Sequence, residues 1–252
     1  MIARHYRALF IIVLLSAVPV FAAKFWETKD FTTWTEKECT EVLSKSPWAF
    51  SNSFGDVPAI GDQTAGINRR SNSAGMPEPS FGQAESTQVF EFRLLTAKPI
   101  RMALARMQLL QKPGDPAAME QVMKYVNTPP EKEIVIQIGY RTVPTGSSAV
   151  LDIHRYFLGA SVADFRSTTS LASKESGVVP IAAYLPPGTN RSFPSFVFPR
   201  LNQAGEPNFT AETKEITFRS EFTPIVGSRR MTYNIFVKMN PKKMMFKQEL
   251  TF

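Results

Sequence analysis

In residues 88–95, Phe90, Phe92 and Leu94 alternate with Glu91 and Arg93. Successive side chains of an extended chain point to opposite faces, so this period sets an apolar face against a charged one. Such a strand is stable only in a sheet whose dry side is covered by a second layer. The same constraint returns along the chain. Residues 133–142 set Ile134, Ile136, Ile138 and Tyr140 on one side. Short extended segments follow at 165–171, 178–185, 195–198, 215–222, 231–237 and 244–252. Turns are read at 186–188 (Pro-Pro-Gly) and 226–228 (Val-Gly-Ser). In the last segment Met244, Phe246, Leu250 and Phe252 lie opposite Lys243, Lys247 and Glu249, which predicts that the chain ends inside a sheet.

Helical signals are fewer. Thr35 followed three residues later by Glu38 is a capping box, with Trp34 and Cys39 placed for a hydrophobic staple. Glu36 and Glu38 add negative charge to the first turn, against the positive end of the macrodipole. Cys39, Val42, Leu43 and Ser46 then share a stripe, and Pro47 ends the helix at Ser46. This helix reads as the first structured element after a cleaved leader, with Trp34 and Trp48 clamping it to the core. A second helix spans 99–111, with Ile100, Ala103, Leu104, Met107 and Leu110 on one face. Asp115 caps a third, with Pro116 at its first position and Met119, Val122, Met123 and Val126 inside. The methionines read as core filling rather than as a groove for a partner. Ser148 is placed to cap a short helix carrying Val150, Ile153, His154 and Phe157. Residues 51–85, rich in Gly, Ser, Asn and Pro, read as a long flexible surface loop, a kind of segment that often carries function.

The expected fold is therefore one α+β domain over residues 23–252, a mainly antiparallel, sandwich-like sheet with an N-terminal helix and a central helix pair. Residues 1–22 have the three parts of a signal peptide. Arg4 and Arg7 give a basic start, 8–20 an apolar centre, and Val20 and Ala22 small residues for cleavage. No later stretch is long and apolar enough to span a bilayer. These features predict export through an inner membrane to the periplasm or beyond. With one cysteine, Cys39, no internal disulfide can form, so stability must come from an ordinary core.

Chemistry is scarce. After the leader there is one histidine, His154, and one cysteine, too few for a Cys/His zinc site. No phosphate loop, calcium loop, dinucleotide fingerprint or nucleophile elbow occurs. Asp152 and His154, two apart on a helix, point to different faces and make a poor dyad. Glu131, Glu133, Glu36, Glu38 and Glu41 are explained by capping or solvation, although carboxylates distant in sequence could still pair in the fold. Two asparagine acceptor patterns, at 190–192 and 208–210, matter only in a eukaryotic secretory pathway. No catalytic, metal or cofactor-binding residue is assigned, and no cofactor is expected.

The chain carries 29 Lys+Arg against 22 Asp+Glu, a net +7, which falls to +5 once Arg4 and Arg7 are removed. The excess gathers at 214–249, with eight basic residues against three acidic. Arg229, Arg230, Lys242 and Lys243 are the candidate partner surface, for anionic lipid, polysaccharide or another envelope protein. Nucleic acid is a poor candidate, since no binding motif is present.

Five stretches, beginning at Trp34, Leu43, Phe196, Lys214 and Phe236, together resemble a group of secreted bacterial proteins found mainly among Acidobacteria. They read Trp34-Thr-Glu-Lys-Glu, Leu43-Ser-Lys-Ser-Pro-Trp48, Phe196-Val-Phe-Pro-Arg200, Lys214-Glu-Ile-Thr-Phe218 and the closing Phe236-Val-Lys-Met to Leu250. The resemblance implies bacterial export and a shared fold, and carries over no active site. The expectation is a non-enzymatic binding or assembly protein of the cell envelope. Two alternatives stand beside it: a carboxylate-dependent hydrolase acting on polysaccharide, and a structural subunit of an envelope oligomer.

Overall fold

The computed structural model describes residues 24–55, 87–128, 130–145, 147–189 and 191–252. The expected signal peptide and residues 56–85 of the expected loop lie outside the described residues. Two short elements precede the capped helix that was expected to come first: α1 (Phe25–Thr28) and a 3-10 turn (Phe31–Thr33). They bury Trp26 and Phe31 but are too short to show a period in sequence. Helix α2 (Glu36–Lys45) has both halves of its capping box. The Glu38 amide donates to Thr35 Oγ1 at 3.2 Å, and the Thr35 amide donates to Glu38 Oε2 at 2.7 Å. Trp34, Cys39 and Trp48 are fully buried, so the two indoles do clamp this helix to the core.

The remaining elements, in chain order, are β1 (Ala49–Phe54), β2 (Thr87–Leu94), α3 (Lys98–Gln111), α4 (Pro116–Asn127), β3 (Glu133–Val143), α5 (Ala149–Gly159) and α6 (Val162–Phe165). Then come β4 (Ser170–Ser173), β5 (Gly177–Pro180), β6 (Ala183–Leu185), β7 (Ser195–Pro199), β8 (Ile216–Phe222), β9 (Ile225–Val226), β10 (Arg229–Arg230), β11 (Tyr233–Met239), β12 (Met245–Phe246) and β13 (Glu249–Leu250). Two antiparallel sheets form the body, in the orders β1-β2-β3-β7-β6 and β11-β8-β4-β5. Their inner faces meet through aromatic rings. Phe90 lies 5.0 Å from Phe222 and 4.7 Å from Tyr233, and Phe92 lies 5.5 Å from Phe218. Edge-to-face geometry of this kind adds to the gain from burying the rings. The fold is α+β, with its core inside a sheet sandwich.

Helices stand at both ends of the sandwich. At one end α2 runs into β1, β2 runs into α3, and α4 packs on α3 as the outermost element. At the other end α5 follows β3 and buries Ile153 and Phe157, with Phe157 5.1 Å from Phe222.

Several expectations are corrected. β1 takes residues 51–54 out of the expected loop, pairing Asn52 with Phe90; its serines and asparagine hid an edge strand. The segment 178–185 is two strands in different sheets: β5 pairs with β4, and β6 with β7. Residues 165–171 begin as the end of α6, and only Ser170 and Leu171 are strand. Ser148 is already helical and caps nothing with its side chain; Ser147 Oγ instead accepts from the Ala149 amide at 3.3 Å. Helix α3, packed between α2 and α4, buries Ile100, Arg101, Met102, Ala103, Ala105 and Leu109, a broader face than the one read from period. Leu110 lies outside that face. Met119 and Met123, expected inside, are 39% and 38% exposed, because α4 has a neighbour on one side only. The chain does not end inside a sheet. β12 and β13 form a separate hairpin whose Lys247 and Gln248 have φ of 49° and 69°.

Candidate binding surface

The four cations proposed from sequence do not form one patch. Arg229 and Arg230 precede β11, and Lys242 and Lys243 follow it. Its seven extended residues separate the pairs by roughly 24 Å. Lys242 and Lys243 sit exposed in a 3-10 turn (Pro241–Lys243), where the Lys242 amide donates to Asn240 Oδ1 at 3.0 Å. Other charges of the basic stretch are already partnered. Lys238 bonds Glu215 at 2.9 Å, Arg219 lies over the Phe236 ring, and Lys247 over Phe246.

Arg229 and Arg230 have different surroundings. β9 and β10 make a two-stranded hairpin, Ile225 opposite Arg230 and Val226 opposite Arg229, with Gly227 at φ 62° in the turn. So short a ribbon has little stability alone. It is held by α5, where Asp152 Oδ2 accepts from the Gly227 amide at 2.8 Å and Oδ1 accepts from Arg155 at 2.8 Å. The Gly227 bond, followed by that from Arg155, keeps the Asp152 carboxyl below its usual range. Asp152 is therefore a tether between helix and hairpin, a role its neighbour His154 had obscured.

This arrangement sets an apolar ridge beside the arginines. Ile153 and Phe157 take α5 inward, which leaves Leu151 and Leu158, seven residues apart, on the outward face. They are 64% and 50% exposed, and Ile225 on the adjoining hairpin is 59% exposed. Arg155 shares the helix with the leucines, and Arg229 and Arg230 lie on the second strand of the adjoining hairpin; all three are exposed. The seven-residue spacing of the leucines was visible in sequence; the hairpin beside them was not.

His154 faces the other flank of α5. Its Nδ1 lies 2.6 Å from the Tyr140 hydroxyl. Burial pushes the Tyr140 phenol up to about 12, so the hydroxyl keeps its proton beside the imidazole. The ring of Tyr140 also stacks on Phe157 at 5.5 Å, which makes the pair part of the packing of α5 on β3. Cys39 is buried, and desolvation raises its thiol to about 11, well above that of a reactive thiolate.

Among the described residues, the carboxyls with altered titration are all shifted downward. Asp30, Glu38, Asp152, Asp164 and Glu212 are stabilised as anions by hydrogen bonds, led by Thr32, Lys29, Gly227, Ser161 and Thr210 respectively. A general acid at neutral pH needs the opposite shift. Among the described residues no group of three or more His, Cys, Asp or Glu side chains is placed to hold a metal ion. Nor, among those residues, is any helix long and apolar enough to cross a membrane. Glu131 and Glu133 are exposed at the start of β3. Comparison with known proteins gives no matching family model, no matching curated protein and no matching solved structure.

Proposed function

We propose that this chain is an exported, non-enzymatic binding protein of a bacterial cell envelope, which docks on anionic lipid through the face formed by α5 and the β9–β10 hairpin. The observation that carries this reading is the outward placement of Leu151, Leu158 and Ile225 beside Arg155, Arg229 and Arg230. Apolar side chains that enter the headgroup boundary and neighbouring cations that meet lipid phosphates are the two components of interfacial attachment. Asp152 on α5 is held by Gly227 and by its ion pair with Arg155, so Arg229 and Arg230 carry the free charge of the face. Export is supported by the leader pattern at 1–22 and by the resemblance to secreted bacterial proteins.

The test is co-sedimentation with vesicles of phosphatidylglycerol and phosphatidylcholine, against phosphatidylcholine alone, at low and high salt. Binding is expected only to the anionic vesicles and should weaken as salt screens the arginines. Replacing Arg229 and Arg230 by Glu removes two contacts of about 1 kcal/mol each, so affinity should fall at least roughly thirtyfold. Leu151→Ser with Ile225→Ser should weaken binding while leaving the salt dependence. Equal binding to both vesicle types would overturn the reading. So would retention by the Arg229→Glu, Arg230→Glu variant, or tighter capture by an anionic polysaccharide than by vesicles.

A further inference from the structure

At the opposite end of the molecule the turn between α3 and α4 opens a groove of about 390 Å³. Leu110, Pro113, Pro116 and Met119 make its apolar walls, and Arg106 and Lys112 stand on its rim. One turn beyond Met119 on the same helix face lies Met123, so the apolar strip continues along α4. Leu110, Met119 and Met123 are each more than a third exposed, whereas the methionines of α3 are buried (Met102) or partly buried (Met107). Unbranched thioether side chains fill irregular gaps and repack against varied partners, which makes exposed methionines suited to a groove that receives another chain.

Charge selects the occupant. Arg106 is fixed at the rim because its Nε donates to the Trp34 carbonyl at 2.7 Å. Asp115 also borders the groove, but its carboxylate is turned back to accept from the Ala117 and Ala118 amides as the cap of α4. Along the strip Glu120 is offset by Lys124, and the rim keeps Arg106 and Lys112. A second copy of this chain, with a net charge of +7 in the full sequence, is electrostatically mismatched to such a rim. We infer that the α3–α4 groove receives an acidic amphipathic helix of a partner protein. Apolar residues at i, i+3, i+4 and i+7 lie on Leu110, Met119 and Met123, and carboxylates meet Arg106 and Lys112. This surface is separate from the lipid-binding face, so either proposal can fail without the other.

The probe is a fluorescein-labelled synthetic helix with leucines at those spacings and glutamates elsewhere, titrated with the full chain and followed by anisotropy. A twin with lysines in place of the glutamates is the control. The acidic helix is expected to bind at least tenfold more tightly than the basic one. Met119→Asp with Met123→Asp should abolish binding, and Lys112→Glu should weaken it severalfold, with far-UV dichroism unchanged because these side chains are exposed. Three results would overturn the inference: equal binding of both helices, full binding by the double-aspartate variant, or self-association in sedimentation that the same variant removes.

Discussion

Arg101 shows most clearly what a single residue can do here. It is 2% exposed and makes no ion pair among the described residues. Its Nη2 donates to the Thr128 carbonyl at 2.8 Å, its guanidinium lies 4.8 Å from the Tyr125 ring centre, and Nη1 has no hydrogen-bond partner. Thr128 is the residue that closes α4, so a cation from α3 sits at the negative end of the neighbouring helix. Desolvation lowers the arginine's pKa, with Tyr125 opposing the shift, yet a guanidinium stays charged under any physiological condition. Arg101→Ala removes the bond and the packing of the stem, and should cost about 2–4 kcal/mol. Arg101→Met keeps most of the volume and removes the unpartnered nitrogen, so it should cost clearly less. Urea unfolding of the two variants gives the order; if Met is as damaging as Ala, the charge rather than the packing holds α4. Nothing local to Arg101 announced this. The reason for its burial is the C-terminus of a helix that begins only at Pro116, placed by the way α4 packs back over α3.

At the scale of elements, what is local was legible. The capping box of α2 needs only Thr35 and Glu38, and both bonds form. Lys29 adds an ion pair to the same carboxylate at 2.8 Å. Led by Lys29 and then by the Thr35 amide, these contacts lower the Glu38 pKa to about 2 from its ordinary 4.5. The folded state thus prefers the anion, and the stabilisation is whole above pH 4.5 and is lost as pH falls toward 2. Thermal melting of the wild type and Glu38→Gln should differ near pH 6 and converge near pH 2. A gap that persists in acid would show that the charge of Glu38 is not what stabilises the helix. The two strands in 178–185 mark the limit of such reading. Val178, Val179, Ile181, Ala183 and Tyr184 are apolar across the join, while the switch of sheets at Ile181 and Ala182 depends on which partners, β4 or β7, stand beside each half. The face formed by α5 and the β9–β10 hairpin divides the same way. Arg229 and Arg230 could be picked out by charge, whereas their separation from Lys242 and Lys243 follows from the full length of β11.

Across the whole molecule, distant segments complete one another at the helical end. Ala97, just before α3, has no side chain able to cap it. The missing acceptor comes from 153 residues later, where Thr251 Oγ1 accepts from the Lys98 amide at 2.9 Å. The Thr251 carbonyl meanwhile accepts from Trp48 Nε1 at 2.7 Å. Thr251→Ala should cost about 1 kcal/mol, the usual value of a helix cap, and lower Tm by about 2–4 °C. Because Trp48 bonds to the backbone, its indole should stay buried in that variant, with unchanged fluorescence maximum; a red shift would mean that the tail had detached.

The bond from Trp48 to Thr251 also bears on when the protein can become itself. Trp48 and Thr251 stand 203 residues apart, so the bond that seals the tryptophan closing α2 cannot form until Thr251 has been made. Until then α3 also lacks the acceptor for its Lys98 amide. Contacts between residues so far apart in sequence form slowly.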